Sequence, residues 1–368
     1  MGIEKITNRQ LFFILFMMRV TVVIGFLPVL TSADAQQDAW ISAIVSFFGA
    51  ALLVLIIVGL GMRFPDMTAV EYAQKLIGKW AGKAVSLIFV WAFLVIAATD
   101  IRIYGGVLIT GFLSETPLSF IIFTMVIAGS IAAYSGIEVI SRAADLLFPV
   151  FLSMLVLSLM FAIPDFLLLK NNLEPVLARG AGPVLRGSII PTIIIAQYLI
   201  LTMIIPATEQ PKKALRVALW ALAGASAVLV LATLTVIAIM GPDRGYRTVF
   251  PFFSMVTTLN ISEFLERIEP LTLFAWGFGV FIGVSTFMYC GSKGMAQILG
   301  LEDYRPLVGP LAVISGVFAI HSYQNVFQLL TFFQPKIAGP YALSLIIVPM
   351  GILWTAYGIR CLQNRGIK

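Results

Sequence analysis

The chain has 368 residues, of which 60% are hydrophobic and only 11% charged, with a mean hydropathy of +1.00. A soluble domain carries about 25% charged residues, so this composition excludes a protein that faces water on all sides. The net charge of +6 does not imply nucleic acid as a partner, because Lys and Arg gather at the ends of apolar runs and form no basic stripe with interleaved aromatics. Two cysteines, Cys290 and Cys361, provide neither a disulfide framework nor a CxxC metal site.

Residues 1–10 are short and charged, and the apolar run behind them has no small-residue cleavage site, so it reads as a retained first span. In chain order the apolar runs are 10–30, 39–62, 84–113, 116–137, 146–164, 187–208, 217–241, 270–292, 306–320 with its continuation, and 338–358. Those at 10–30 and 84–113 are interrupted by charge. Each is long enough to cross a bilayer, or nearly so, at about 20 residues per crossing. Backbone groups at that depth must pair within the chain, so the runs are predicted helices. The expectation is one all-α integral membrane domain over 1–368 with about ten transmembrane helices.

With the N-terminus cytoplasmic, the inner segments hold fifteen Lys and Arg and the outer ones seven, while Arg19 and Arg102 inside the spans complete the 24. That asymmetry predicts both termini on the cytoplasmic side of an inner membrane. Ten spans divide into 5+5, and an odd repeat inverts its copy; the repeats would occupy about 10–164 and 187–358. Ile24-Gly25-Phe26-Leu27-Pro28 and Met203-Ile204-Ile205-Pro206 place prolines near the ends of spans 1 and 6, as broken helices around a central site would. In the loop 242–269, Ser262 can cap a short helix with Glu263 and Arg267 paired at i,i+4.

Three ionisable residues fall well inside spans: Arg19, Asp100 and Arg102. Each costs at least ~2.5 kcal/mol to insert, so they should face the bundle interior. Asp100 is either a proton or cation relay or, on the favoured reading, a carboxylate held ionised by Arg19 or Arg102 that fixes packing. His321 reads as an interfacial side chain, and Glu71 and Glu209 as solvated groups at span ends. There is no G-x-S-x-G, Walker A or H-E-x-x-H motif, so an enzyme is not expected and no cofactor or metal is implied.

A site can be argued from backbone physics. A break of span 1 near Gly25 would offer free N–H groups to a carboxylate, and a break of span 6 near residues 197–200 would offer carbonyls to an ammonium group. Together they would hold a small zwitterion such as an amino acid, with Thr21, Gln197, Tyr198, Ser285, Thr286 and Tyr289 nearby. Gly25 equally permits simple close packing of helices.

Several stretches carry a specific likeness: Ile6-Thr7-Asn8-Arg9-Gln10, Phe64-Pro65-Asp66-Met67-Thr68 with Glu71-Tyr72 and Leu76-Ile77-Gly78-Lys79, Gly136-Ile137-Glu138-Val139-Ile140-Ser141-Arg142, Phe148-Pro149, and Phe264-Leu265-Glu266-Arg267-Ile268-Glu269 followed by Trp276. In order and spacing the sequence resembles the spore germination permease family, the B subunit of nutrient germinant receptors within the amino acid–polyamine–organocation superfamily. The resemblance implies a 5+5 inverted-repeat fold of the leucine-transporter type in the spore inner membrane. It implies A and C subunits as partners and a midplane pocket for an amino acid or similar nutrient. Carried over by position, that pocket uses Gly25, Ala97 and Ile101, Leu199, Ser285 and Tyr289. Span 1 departs from the superfamily in lacking a Gly-x-Gly run. Ser285-Thr286 resembles the hydroxyl pair that binds sodium in some relatives, which makes Thr286 an ion candidate beside Asp100. The rival reading is a proton- or sodium-coupled amino-acid transporter of the same fold; a third is a scaffold or ion-permeation subunit that binds no nutrient.

Overall fold

The computed structural model describes residues 5–259 and 269–365. The Ser262-capped helix and most of the 264–269 landmark lie outside the described residues. Among these, nine helices are long and apolar enough to cross a membrane, and Arg305–His321, at 17 residues, is a shorter tenth. Span 1 is made of Asn8–Gly25 and Leu27–Ala35, span 2 of Ala39–Gly61, span 3 of Lys79–Gly111, span 4 of Leu118–Ser135 and span 5 of Ile137–Phe161. Span 6 runs from Ala181 to Ala207 in four pieces, followed by span 7 in Ala214–Arg247, span 8 in Glu269–Leu299, span 9 in Arg305–His321 and span 10 in Pro335–Arg365. The described part of the chain is all-α, with one isolated β-bridge between Ile6 and Thr208.

Burial sorts the spans into a core and a shell. In the most apolar stretches of spans 1, 6 and 8, 72%, 83% and 78% of residues are buried, against 22% along Ile137–Leu173 and 28% in span 10. Large apolar side chains on the shell, such as Phe48, Phe120, Leu146 and Trp220, point outward, which hydrocarbon tolerates and water does not. This is a multi-pass membrane protein. Span 8 packs on spans 1, 3, 4 and 5, and span 7 lies across spans 1 and 2.

The short motifs that carry the family resemblance lie at joints between helices. Thr7 and Gln10 form a capping box at the start of span 1, with Thr7 N–H donating to Gln10 Oε1 at 2.9 Å. Ile6 N–H donates to the Ala207 carbonyl and Glu209 N–H to the Ile6 carbonyl, at 2.8 and 2.9 Å, so the N-terminal segment straps the end of span 6. Thr68 and Glu71 cap Ala69–Ile77 in the same way. Gly78 and Gly136 sit at the tight turns into spans 3 and 5 with φ of 88° and 100°, a region that a Cβ disfavours. Lys5, Glu209 and Lys293 border one vestibule, and Arg360 Nε donates to the Leu76 carbonyl at 3.0 Å, so the described ends of the chain share one face.

Candidate functional site

Span 1 breaks where its sequence requires it. Pro28 has no N–H for the Ile24 carbonyl, and it is instead accommodated in the first turn of a new helix, where its missing N–H costs nothing. The helix ends at Gly25, Phe26 takes φ −154°, and a second helix starts at Leu27. Trp276 of span 8 holds the joint: it is buried, and its indole N–H donates to the Thr21 carbonyl at 2.7 Å. A Cβ on Gly25 would lie 3.4 Å from the Trp276 ring, so the glycine is a place of close packing as well as the end of a helix.

Span 6 behaves differently from the expectation of an open break. Ala181–Ile193 passes into 3₁₀ geometry over Ile194–Ile200, then Leu201–Ile204 and Ile205–Ala207. Tightening keeps the backbone paired within the segment while changing its pitch. The relevant proline is Pro191, three residues before the change, rather than Pro206 at the far end. Pro191 lies where bonding shifts from i−4 to i−3, and its carbonyl accepts a hydrogen bond from outside the segment. Arg19 Nη2 donates to it.

Beside the two interrupted spans lies a cavity of about 80 Å³. Span 1 contributes Val22 and Phe26, span 3 Val95, Ile96, Thr99, Asp100 and Ile103, and span 6 Ile193, Ile194, Ala196 and Gln197. Phe332 and Phe333, at the end of the short helix Val326–Phe332, close one side, with Ala338, Tyr341, Ala342 and Leu345 of span 10. Phe26 and Phe333 stand 4.8 Å apart between ring centroids, so the broken joint touches this side of the wall. Asp100 Oδ2 accepts a hydrogen bond from Gln197 Nε2 at 3.2 Å.

Asp100 is therefore not held by either arginine. Arg19 is occupied by Pro191, and Arg102 donates from Nε and Nη2 to the Tyr323 carbonyl at 3.3 and 3.1 Å. Asp100 and Arg102 are two residues apart on one helix, and such pairs do not face each other.

Of the residues singled out from sequence for the pocket or an ion, Asp100 and Gln197 line this cavity. Gly25 is one residue from its wall. Ala97, Ile101, Tyr198 and Leu199 are buried in the surrounding core. Ser285 and Thr286 are buried on span 8, their hydroxyls donating to the Phe281 and Ile282 carbonyls at 2.6 and 2.7 Å. Tyr289 borders a second, polar vestibule of about 560 Å³ at the N-terminal face and accepts from Lys293 Nζ at 3.0 Å. The lining from span 10 and Phe332-Phe333 was not anticipated, since no local pattern marks it.

Among the described residues, nine helices long and apolar enough to cross and a shorter tenth, with the first span broken and the sixth retightened beside a small apolar cavity, define the leucine-transporter-type fold. The crystal structure of MhsT in complex with L-phenylalanine superposes with a TM-score of 0.69, covering 93% of this chain and 87% of that one at 15% identity. Mhp1, a nucleobase-cation-symport-1 family transporter in a closed conformation with bromovinylhydantoin bound, gives 0.70 with 94% and 78% covered at 14% identity. At these identities the likeness is one of fold. The chain belongs to the spore germination permease family, whose model, for spore germination protein, matches residues 5–326. Relatives include Spore germination protein KB of Bacillus subtilis (strain 168), 25% identical over 311 residues covering 84% of this chain and 83% of that protein. Spore germination protein YndE of the same organism is 26% identical over 318 residues, covering 84% and 86%. Permease family and transporter fold together indicate a protein that is not an enzyme.

Proposed function

We propose that this chain is the ligand-sensing membrane subunit of a nutrient germinant receptor, in the spore inner membrane with both termini cytoplasmic. A small amino acid or similar nutrient occupies the bundle, and the change passes to the A and C subunits. The observation that carries the reading is the small apolar cavity against the broken joint of span 1, in a chain of the germination permease family. A ligand moves such a bundle only through different affinity for its two arrangements. Because Phe26 belongs both to the joint and to the wall, occupancy and the angle of span 1 are coupled.

A bulky side chain at Ala342, on the wall, should occupy the space the nutrient needs. Ala342→Phe should raise the nutrient concentration for half-maximal germination by about tenfold or more while the protein remains at normal level in the spore membrane. An unchanged dose–response counts against the reading. The alternative, a proton- or sodium-coupled amino-acid transporter, is favoured by the fold it shares with MhsT and Mhp1. Uptake of labelled amino acids by liposomes carrying the purified chain, driven by a proton or sodium gradient, would establish it.

A further inference from the structure

The cavity is apolar except for four side chains: Thr99, Asp100, Gln197 and Tyr341. Thr99 is engaged with the Val95 carbonyl at 2.8 Å, and the Tyr341 phenol accepts from Trp91 Nε1 at 3.0 Å. Gln197 spends its amide N–H on Asp100, which leaves its buried Oε1 without a hydrogen-bond partner. No Lys, Arg or His lines the space. A carboxylate and an unpaired amide oxygen thus stand together among hydrocarbon, an arrangement rich in acceptors and lacking a cation. A buried acceptor left unpaired is destabilising, and a charged donor placed between Gln197 Oε1 and the Asp100 carboxylate would pair the first and balance the charge of the second.

We infer that the cavity takes a small apolar primary ammonium, its N–H groups donating to Asp100 and Gln197 Oε1 and its hydrocarbon lying on Val22, Ile103, Ile193 and Phe333. The inference rests on the proposed function, that the cavity holds the ligand, and specifies which end of a nutrient the side chains read: the amino group and not the carboxylate. A free carboxylate here would meet Asp100 with no opposing cation in the wall. Size sets a further limit. At about 10–15 Å³ for each water-sized occupant, a cavity of about 80 Å³ holds roughly five to eight non-hydrogen atoms.

Three probes of matching skeleton separate the possibilities: L-valine, isobutylamine, which lacks its carboxylate, and 3-methylbutanoate, which lacks its amino group. With the full chain purified and held in lipid nanodiscs, L-valine and isobutylamine should bind and 3-methylbutanoate should not. Asp100→Asn, close to isosteric, should weaken isobutylamine by at least about tenfold with circular dichroism unchanged. Equal binding of amine and acid, or amine affinity unaffected in a folded Asp100→Asn protein, overturns the inference, as does no binding by any of the three. Where Asp100→Asn does not fold, the amine-against-acid comparison on the unaltered chain decides. L-Valine binding while neither analogue binds overturns this inference and leaves the proposed function standing. An unchanged nutrient response in Ala342→Phe spores removes the proposed function instead.

Discussion

Arg19 is buried in span 1 with no carboxylate beside it: one guanidinium nitrogen donates to the Pro191 carbonyl and Nη1 has no hydrogen-bond partner. Burying an ion has an effective penalty of several kcal/mol, whereas a hydrogen bond to a charged group returns about 1.5–3 kcal/mol. Penalty exceeds return, so Arg19 is not there for stability. Arg19→Met preserves much of the length and leaves Pro191 unpaired at about 1–3 kcal/mol, less than the relief. Thermal unfolding of Arg19→Met should therefore match or exceed that of the unaltered chain, while nutrient response weakens because span 6 loses its tie to span 1. A clear fall in unfolding temperature would show that the buried charge is a net support. The partner of Asp100 was not legible from sequence for a related reason. Spacing along one helix excludes Arg102, but only the crossing of spans 3 and 6 brings Gln197 within reach.

The break in span 1 was legible because it is local: Pro28 acts on its own four preceding residues. Span 6 was only half legible. A change near residues 197–200 was expected and 3₁₀ geometry covers Ile194–Ile200, but the proline beside it is Pro191 rather than Pro206, and Arg19 from a distant segment donates to its carbonyl. What holds the two core spans 1 and 8 together is close contact at Gly279, where a Cβ would come 1.8 Å from Thr21 Oγ1 and 3.1 Å from the Met17 carbonyl. Thr21 cannot swing away freely, being β-branched and donating to the Met17 carbonyl at 2.7 Å. Gly279→Ala should accordingly lower stability by about 1–3 kcal/mol, the usual range for overpacking, seen as a reduced yield of monodisperse protein. Adding Thr21→Ala removes the offending oxygen and should restore part of that yield. If the double variant is no better than the single one, the clash is not with Thr21.

Across the whole molecule, composition and the lengths of the apolar runs were enough to foretell an all-helical membrane protein, and among the described residues nine helices are long and apolar enough to cross, with a shorter tenth, since lipid leaves the backbone few choices. The cavity wall was not foretold, because it joins residues from positions 22 to 345 through packing that no local period records. The two spaces differ in kind. The cavity near the break is small and apolar, while the vestibule at the N-terminal face is about 560 Å³ and lined by charged groups including Lys5, Asp66, Glu71, Glu209 and Lys293. Between that vestibule and lasting closure stands the N-terminal strap, where Ile6 bridges Thr208 at the end of span 6. If sensing requires spans 1 and 6 to move apart at this face, the strap must release. Bridged neighbours on parallel strands lie about 4.8 Å apart, within the roughly 4.4–6.8 Å between Cα atoms that a disulfide spans. Ile6→Cys with Thr208→Cys, in a background where the exposed Cys361 is serine and buried Cys290 is retained, should therefore cross-link on oxidation. Oxidised protein should keep its ligand affinity within a few-fold yet fail to pass the signal, and a reductant should restore the response. Full response from the cross-linked form would mean that the bundle signals without opening at the face of its N-terminal strap.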